Sequence, residues 1–249
     1  MTTLLITRPQ KQVGELVQRL GGEVELLFQP TIAIGPPDDG YRGLDAALER
    51  PYDWLVFSSV NGVEAWFSRL PEGWRPGETR LAAIGPGTRD ALEARGFEVA
   101  FVPEVFRAEF LAEGLVSEAK KGRSFLLLRA SRGREILAET LSSAGGNVVQ
   151  AVAYSSVDVF PDSPEWNPEI LEKMERGEID WTTVTSSAIA ESLVRLFGES
   201  LRKTKLASIS SLTTHVLEKH GFSVSVEAAE ATMDALADAL RRAFRSFTT

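Results

Sequence analysis

An internal repeat constrains the fold of this chain more than any other feature of its sequence. The segment DWLVFSSVNGVEAWF at 53–67 matches DWTTVTSSAIAESLV at 180–194. Asp and Trp recur at an offset of 127 (180 − 53), and the Ser-Ser pair recurs at 127 or 128. The segment LAAIGPGTRDALEARGFEV at 81–99 matches LASISSLTTHVLEKHGFSV at 206–224, at an offset of 125 (206 − 81). Self-similar blocks in the same order indicate a chain built from two related halves.

Within the repeated blocks, the local pattern is that of strands alternating with helices. Short apolar runs at 4–6 and 125–128 are typical of buried strands. Gly-Gly pairs at 21–22 and 145–146 predict where two of the helices stop. The Ser-Ser pairs and Asn61 lie where a strand turns into a helix, and their side chains are suited to N-capping. Alternation of this kind predicts an α/β fold with parallel sheets.

Two segments rich in Pro, Asp and Ser interrupt this pattern and divide the chain. We interpret residues 33–40 and 155–168 as interdomain linkers. Residues 1–32 hold one strand–helix–strand unit, and 169–249 hold the complementary blocks, so we expect the two to form one discontinuous α/β domain. Residues 41–154 form the second domain. The prediction is therefore two lobes, each a parallel β-sheet flanked by helices, joined by a two-stranded linker.

The composition is that of an ordinary globular protein and excludes several kinds of site. The chain has no cysteine, which excludes disulfides, thiolate nucleophiles and cysteine zinc sites. Its two histidines, His215 and His220, fall late in a predicted helix, where a surface position is more typical than a metal site or a Ser-His-Asp triad. A net charge of −8 without a basic stripe argues against nucleic-acid binding. No apolar run approaches the ~20 residues of a membrane span, and the N-terminus does not read as a signal peptide, so we expect a cytoplasmic protein.

Several short motifs follow one another along nearly the whole chain. They are Thr7-Arg8-Pro9, the run DWLVFSSVNGV at 53–63, Ile84-Gly85-Pro86-Gly87-Thr88, Leu127-Leu128-Arg129, Tyr154 after Ala151-Val152-Ala153, and Val184-Thr185-Ser186-Ser187. In this order they resemble the uroporphyrinogen-III synthase family, whose members have two α/β lobes joined by a two-stranded ladder. The sequence departs from the family at 209–212, where ISSL replaces a Gly-Pro-type turn, and at 231–232, where Ala-Thr replaces Pro-Thr.

The resemblance implies a cyclising lyase of porphyrin, tetrapyrrole and heme biosynthesis. Its substrate would be linear hydroxymethylbilane, which loses its hydroxyl to give an azafulvene-type electrophile. Attack by ring D at its substituted carbon gives a spiro intermediate, and rearrangement yields uroporphyrinogen III with ring D inverted. The resemblance implies no metal and no organic cofactor. We expect a monomer that contacts neither nucleic acid nor membrane, with a transient hand-over of substrate from hydroxymethylbilane synthase.

The implied substrate carries eight carboxylates, which an acidic protein can hold with backbone N–H groups at helix N-termini. The Ser-Ser and Gly-Pro-Gly-Thr junctions supply such groups where strands end, and Arg8 and Arg129 follow strands at equivalent repeat positions. The candidate substrate-binding residues are Thr7, Arg8, Ser58, Ser59, Asn61, Gly85, Gly87, Thr88, Arg129, Thr185, Ser186, Ser187 and Ser210. Simple N-capping is the alternative for the serines, and a structural salt bridge is the alternative for the arginines.

Tyr154 is the candidate catalytic residue. It ends a predicted strand at the junction of the lobes, and its phenol keeps a proton at neutral pH that could assist loss of the substrate hydroxyl. The alternative is a tyrosine that only packs between domains.

Two other functions remain open at this stage. A two-lobed small-molecule binding protein without catalysis would share the plan, although most such proteins are exported. A nucleotide-dependent regulator is disfavoured because the turn at 85–88 lacks the third glycine of the dinucleotide fingerprint, with Asp at position 90.

Overall fold

The structure, a computed structural model, describes residues 1–9, 14–71 and 73–246. The strands are β1 (Thr3–Ile6), β2 (Glu25–Phe28), β3 (Ile32–Gly35), β4 (Trp54–Phe57), β5 (Arg80–Ala83), β6 (Ser124–Ala130), β7 (Asn147–Asp158), β8 (Trp181–Val184), β9 (Lys205–Ser208) and β10 (Val224–Glu227). The helices are α1 (Gly14–Leu20), α2 (Arg42–Leu48), α3 (Val60–Arg69), α4 (Pro86–Glu93), α5 (Ala108–Ala119), α6 (Ile136–Ser143), α7 (Pro168–Glu175), α8 (Ser187–Phe197), α9 (Ser211–Lys219) and α10 (Met233–Ser246). A 3₁₀ helix, Gly198–Lys203, follows α8.

The strands form two five-stranded sheets, one in each of two compact units. The first unit comprises Met1–Ala33 and Val157–Thr249, and its sheet has the order β10-β9-β8-β1-β2. The second unit comprises Ile34–Ser156, and its sheet has the order β3-β7-β6-β4-β5. Neighbouring strands run parallel from β2 across to β10 and from β7 across to β5. The expected α/β class with parallel sheets is confirmed.

Strands carry the chain across both boundaries between the units. The first boundary falls within β3 and the second within β7, and these two strands are neighbours in the second sheet. Both strands run into segments that the sequence pattern assigned to linkers, because β3 covers residues 32–35 and β7 continues to Asp158. The extended part of β7 ends shortly before Pro161, which cannot donate to a strand ladder.

The central strands are buried on both faces, which explains their continuous apolar sequence. Every residue of β1, β4 and β8 is buried. In the second unit, alternate residues of β4 enter two clusters on opposite faces of the sheet: Leu55 and Phe57 pack with Trp66 of α3, whereas Trp54 and Val56 pack with α5 and α6. Within the described residues, no helix is long and apolar enough to span a membrane.

The repeated aspartates hydrogen-bond the amino ends of adjacent central strands to each other. Asp53, just before β4, accepts hydrogen bonds from the backbone N–H and the hydroxyl of Ser124, the first residue of β6, at 2.8 and 2.7 Å. Asp180, just before β8, accepts a hydrogen bond from the backbone N–H of Thr3 at the start of β1, at 2.8 Å. Equivalent carboxylates thus join equivalent pairs of strands in the two units, β4 with β6 and β8 with β1. This role accounts for the first residue of the repeated Asp-Trp motif.

We expect Asp53→Asn to lower the melting temperature at pH 7, and the difference from the unaltered protein to shrink as the pH falls below about 4. Hydrogen bonds from Ser124, and then the Arg123 guanidinium, hold the pKa of Asp53 below its ordinary value. A carboxylate with a lowered pKa in the folded state contributes stability above its unfolded pKa and loses that contribution as the pH falls through its folded pKa. Thermal unfolding by circular dichroism between pH 7 and pH 3 measures the effect.

Asp162→Asn is the matched control for this prediction, because it removes the same charge from an exposed side chain. Equal changes in melting temperature for the two variants at pH 7 would contradict the conclusion that Asp53 stabilises the pairing of β4 with β6.

Candidate functional site

Four strand–helix junctions share one backbone conformation at the residue before the helix. Ser59, Gly85, Ser186 and Ser210 precede α3, α4, α8 and α9, and their φ angles lie between −172° and −167°. The first two follow β4 and β5, which are neighbours in the second sheet, and the last two follow β8 and β9, which are neighbours in the first. Because parallel strands end at the same edge, each sheet sets two helix N-termini, with their partial positive charge, side by side.

In the second unit, the junction before α3 contains a hydroxyl pair. The Ser59 Oγ accepts a hydrogen bond from the backbone N–H of Gly62 at 3.1 Å, which caps the helix. The same Oγ lies 3.0 Å from the Oη of Tyr154, at hydrogen-bond distance, and either atom can be the donor. Tyr154 is 9% exposed. The structure therefore brings together a candidate catalytic residue and a candidate binding residue that lie 95 positions apart.

A β-bulge places Tyr154 in this position. Along the β6–β7 ladder, Arg129 is opposite Val152 but Ala130 is opposite Tyr154, so that Ala153 is the extra residue. The backbone N–H of Ser131 donates to the Tyr154 carbonyl oxygen at 2.9 Å. The Ser131 hydroxyl also accepts from the backbone N–H of Ser156 at 3.3 Å. Sequence reasoning missed Ser131, since nothing in a single sequence indicates that it braces a distant tyrosine.

The junction before α4 is closed on one side by an aromatic ring. A side chain at Gly85 would lie 3.2 Å from Phe106, so glycine permits this approach. Thr88 is 4% exposed and lies inside the unit, whereas Gly87 is exposed with open space beside it. Of the predicted residues at this turn, Gly87 is therefore the most accessible to a ligand. Phe106 is the second residue that sequence reasoning did not identify.

In the first unit, Thr185 and Ser186 form the junction before α8. The Ser186 Oγ caps the helix by accepting from the backbone N–H of Ile189 at 3.1 Å, as its repeat equivalent Ser59 does. Ser187 is exposed in the first turn. Thr185 is only 8% exposed, and its hydroxyl has no hydrogen-bond partner among the described residues. Its position next to the N-terminus of α8 makes this hydroxyl a possible donor to a bound anion.

At the neighbouring junction, before α9, the Ser210 Oγ lies 3.3 Å from the Thr213 hydroxyl, and it does not cap the backbone of the helix. Although the sequence at 209–212 departs from the family pattern, this junction has nearly the same backbone conformation as the one at Gly85.

Two further predicted side chains have partners that favour a structural interpretation. The Thr7 hydroxyl is fully buried and donates to the Thr183 carbonyl oxygen, which ties β1 to β8. The Ser58 hydroxyl donates to the Leu128 carbonyl oxygen at 3.3 Å. Asn61 lies in the first turn of α3, so that Ser59 and not Asn61 is the N-cap. Arg8 is half-buried, and its Nη1 contacts the Met233 sulfur at 3.5 Å.

Arg129 braces the loop after β6. Its guanidinium forms an ion pair with Glu135 and donates to the Gln150 Oε1 at 2.6 Å and to the Gly133 carbonyl oxygen at 3.3 Å. The hydrogen bond that Arg129 donates to the Glu135 carboxylate is the main cause of a lowered pKa for Glu135, and a hydrogen bond from Gln150 is the second cause. These contacts favour the salt-bridge alternative for Arg129 over substrate binding. Across residues 1–9, 14–71 and 73–246, no three His, Asp or Glu side chains are grouped so as to hold a metal ion.

Comparison with known proteins identifies one family. The model of the family described as "Uroporphyrinogen-III synthase HemD" matches residues 11–238. The chain is 28% identical over 262 aligned positions to the uroporphyrinogen-III synthase of Synechococcus elongatus, covering 99% of this chain and 97% of the relative. It is 27% identical over 236 positions to that of Chlorobaculum parvum, covering 91% and 92% of the two chains.

Two crystal structures have the same fold. A mutant uroporphyrinogen III synthase from the extremely thermophilic bacterium Thermus thermophilus aligns with a TM-score of 0.66 at 17% identity, covering 99% of this chain and 100% of the other. The uroporphyrinogen-III synthetase of Helicobacter pylori aligns with a TM-score of 0.66 at 19% identity, covering 98% and 100%.

Proposed function

The chain belongs to the uroporphyrinogen-III synthase family, and we propose that it cyclises linear hydroxymethylbilane to uroporphyrinogen III, with loss of water and inversion of ring D. The observation that carries this proposal is the match of the family model to residues 11–238, which spans nearly all of both units. The chain is thus a cyclising lyase of tetrapyrrole biosynthesis. The non-catalytic two-lobed binding protein is the less well supported function.

The substrate carboxylates would be held chiefly by backbone groups. The first N–H groups of a helix have no acceptor within the helix, and the four junctions present such groups at the carboxyl edges of both sheets. A net charge of −8 does not prevent this, since local dipoles act at hydrogen-bond distance. Thr185, with its unsatisfied hydroxyl next to the N-cap of α8, is the side chain best placed to add a hydrogen bond to a carboxylate.

Tyr154 would supply the proton for the first step. The bond between the hydroxymethyl carbon and its oxygen breaks, the oxygen takes the phenol proton and leaves as water, and the cationic electrophile remains. After ring D attacks and the spiro intermediate rearranges, a ring proton is lost and returns to the phenolate. The overall change is substrate to product plus one water. The chain's remaining contribution would be to hold the flexible substrate so that inverted closure is faster than direct closure.

We propose in addition that the protein works as a cytoplasmic monomer and receives its unstable substrate by transient hand-over from hydroxymethylbilane synthase. The reason is chemical: unassisted hydroxymethylbilane cyclises to the uninverted isomer, so a short delay before binding loses substrate.

The test of the function is incubation of the purified protein with hydroxymethylbilane, followed by chromatographic separation of the product isomers. We expect the inverted isomer to dominate, with the same rate in the presence of a metal chelator and without added nucleotide. Binding of the substrate with only the uninverted isomer formed, at the uncatalysed rate, would instead identify a binding protein.

We expect Thr185→Val to raise KM about tenfold or more and to change kcat less, since a hydrogen bond to a charged group is worth about 1.5–3 kcal/mol. The melting temperature should stay the same or rise, because the hydroxyl has no partner within the described residues. Thr7→Val is the matched control for stability: its hydroxyl is bonded to Thr183, and its loss should cost about 1 kcal/mol. An unchanged KM for Thr185→Val would remove Thr185 from the binding site.

We expect Tyr154→Phe to lower kcat about 100-fold or more while the protein remains folded, because a positioned general acid contributes roughly 10²- to 10⁴-fold. The phenylalanine ring keeps the packing of a residue that is 9% exposed. The loss should be incomplete, because substrate positioning remains. The uninverted isomer should increase, because unassisted substrate cyclises to it. Turnover and isomer ratio are measured beside a melting curve. Wild-type turnover with a normal melting temperature would make Tyr154 a packing residue only.

A further inference from the structure

The Ser59 hydroxyl stands between the N-terminus of a helix and the phenol of Tyr154. Its oxygen accepts the backbone N–H of Gly62 at 3.1 Å and lies 3.0 Å from the Tyr154 Oη. Ser59 is half-buried, and Tyr154 is 9% exposed, so both hydroxyls are partly withdrawn from water. A hydrogen bond in such surroundings is stronger than one in bulk water.

A count of protons and lone pairs limits how these groups can be arranged. A serine hydroxyl has one proton and two acceptor sites, and Gly62 already occupies one acceptor site. If Tyr154 donates to Ser59, the phenol proton is directed away from any substrate. If Ser59 donates to Tyr154, the phenol proton is free for another acceptor. Only the second arrangement leaves the phenol able to protonate the substrate directly.

We propose that Ser59 is a positioning residue for the reaction: its hydroxyl donates to the Tyr154 oxygen and thereby directs the phenol proton toward the leaving hydroxyl of the substrate. This inference rests on the proposed role of Tyr154. As the proton departs, negative charge develops on the phenol oxygen, and the Ser59 hydrogen bond to that oxygen becomes charge-assisted. The N-terminal dipole of α3 favours the same charge.

The repeat offers an internal comparison for this arrangement. Ser186 occupies the position equivalent to Ser59 and caps α8 with the same 3.1 Å bond. Leu4 and Phe125 both pair with the repeated tryptophan, and they pair on their other side with Leu26 and Val148. Counted on from Leu26 and Val148, the position equivalent to Tyr154 is Ile32, which has no hydroxyl. Capping alone is therefore sufficient to explain a serine at this place in the first unit. In the second unit the serine has an additional partner, and that partner is the candidate acid.

The experiment combines Ser59→Gly, Ser59→Thr, Tyr154→Phe and the double variant Ser59→Gly/Tyr154→Phe in the full-length protein. Glycine is a tolerated N-cap, so Ser59→Gly removes the hydrogen bond to Tyr154 with little loss of capping. We expect Ser59→Gly to lower kcat about tenfold or more, with KM changed less. Ser59→Thr keeps the hydroxyl and should retain turnover. In the double variant, kcat should equal that of Tyr154→Phe within about twofold, because Ser59 acts only through the phenol.

Asn167→Gly is the matched control for the loss of a helix cap. Asn167 caps α7 by accepting the backbone N–H of Glu169 at 3.1 Å, and it has no part in the candidate site. We expect this variant to lower the melting temperature at least as much as Ser59→Gly and to leave kcat unchanged.

A spectroscopic measurement tests the hydrogen bond itself. The chain has three tyrosines, so ¹³Cζ-labelled tyrosine should give few resonances, and Tyr154→Phe identifies the one of interest. We expect this resonance to shift in Ser59→Gly and to stay in place in Asn167→Gly.

The outcomes separate the two proposals. Tyr154→Phe at wild-type turnover would overturn the role of Tyr154, and with it that of Ser59. A slow Tyr154→Phe combined with wild-type kcat in Ser59→Gly, or with independent losses that multiply in the double variant, would overturn only the role of Ser59. An unmoved tyrosine resonance in Ser59→Gly would also overturn it.

Discussion

The N–H groups in the first turn of each helix need acceptors, and this requirement governs the carboxyl edges of both sheets. At two of the four junctions, a serine hydroxyl satisfies the N–H three residues further on. Before α4, the Gly85 carbonyl oxygen accepts instead, from the backbone N–H groups of Thr88 and Arg89. The remaining first-turn N–H groups can be satisfied by an anionic ligand. A chain with a net charge of −8 can therefore still bind carboxylates at these junctions.

Each central strand is fixed at both ends, which is why a four-residue strand can position a junction so closely. At the amino end, Asp53 and Asp180 accept hydrogen bonds from the start of a neighbouring strand. At the carboxyl end, Ser59 and Ser186 cap the N-terminus of the helix that follows. In the repeated segment, the aspartate holds the strand in place, and the serine lies at the edge of the sheet where a ligand can bind.

The sequence was sufficient for the parallel sheets and for the location of the junctions, because both follow from periodicity and from repeated turns. It was insufficient for side-chain partners. Arg129 matched the pattern of a carboxylate ligand, but its contacts are with Glu135 and Gln150, and Gln150 is placed by the pairing of β6 with β7. The contact between Ser59 and Tyr154 spans 95 positions and depends on β6 lying between β4 and β7, an order that local patterns do not contain. The bulge at Ala153 likewise arises from strand pairing.

The two halves of the repeat differ at the position of the proposed acid. The position that Tyr154 occupies in the second unit belongs to Ile32 in the first, shortly after the fully buried Gln29. The Gln29 side-chain amide donates to the carbonyl oxygens of Pro30 and Glu165 and accepts from the backbone N–H of Asn167, so it holds the returning chain against the unit. The Gln29 amide is fully bonded and the Ile32 side chain is a hydrocarbon, so neither has a proton to offer a substrate. Loss of one hydroxyl requires one proton, and in the proposed reaction that proton comes from one half of the duplicated scaffold, while the equivalent place in the other half holds a buried apolar side chain.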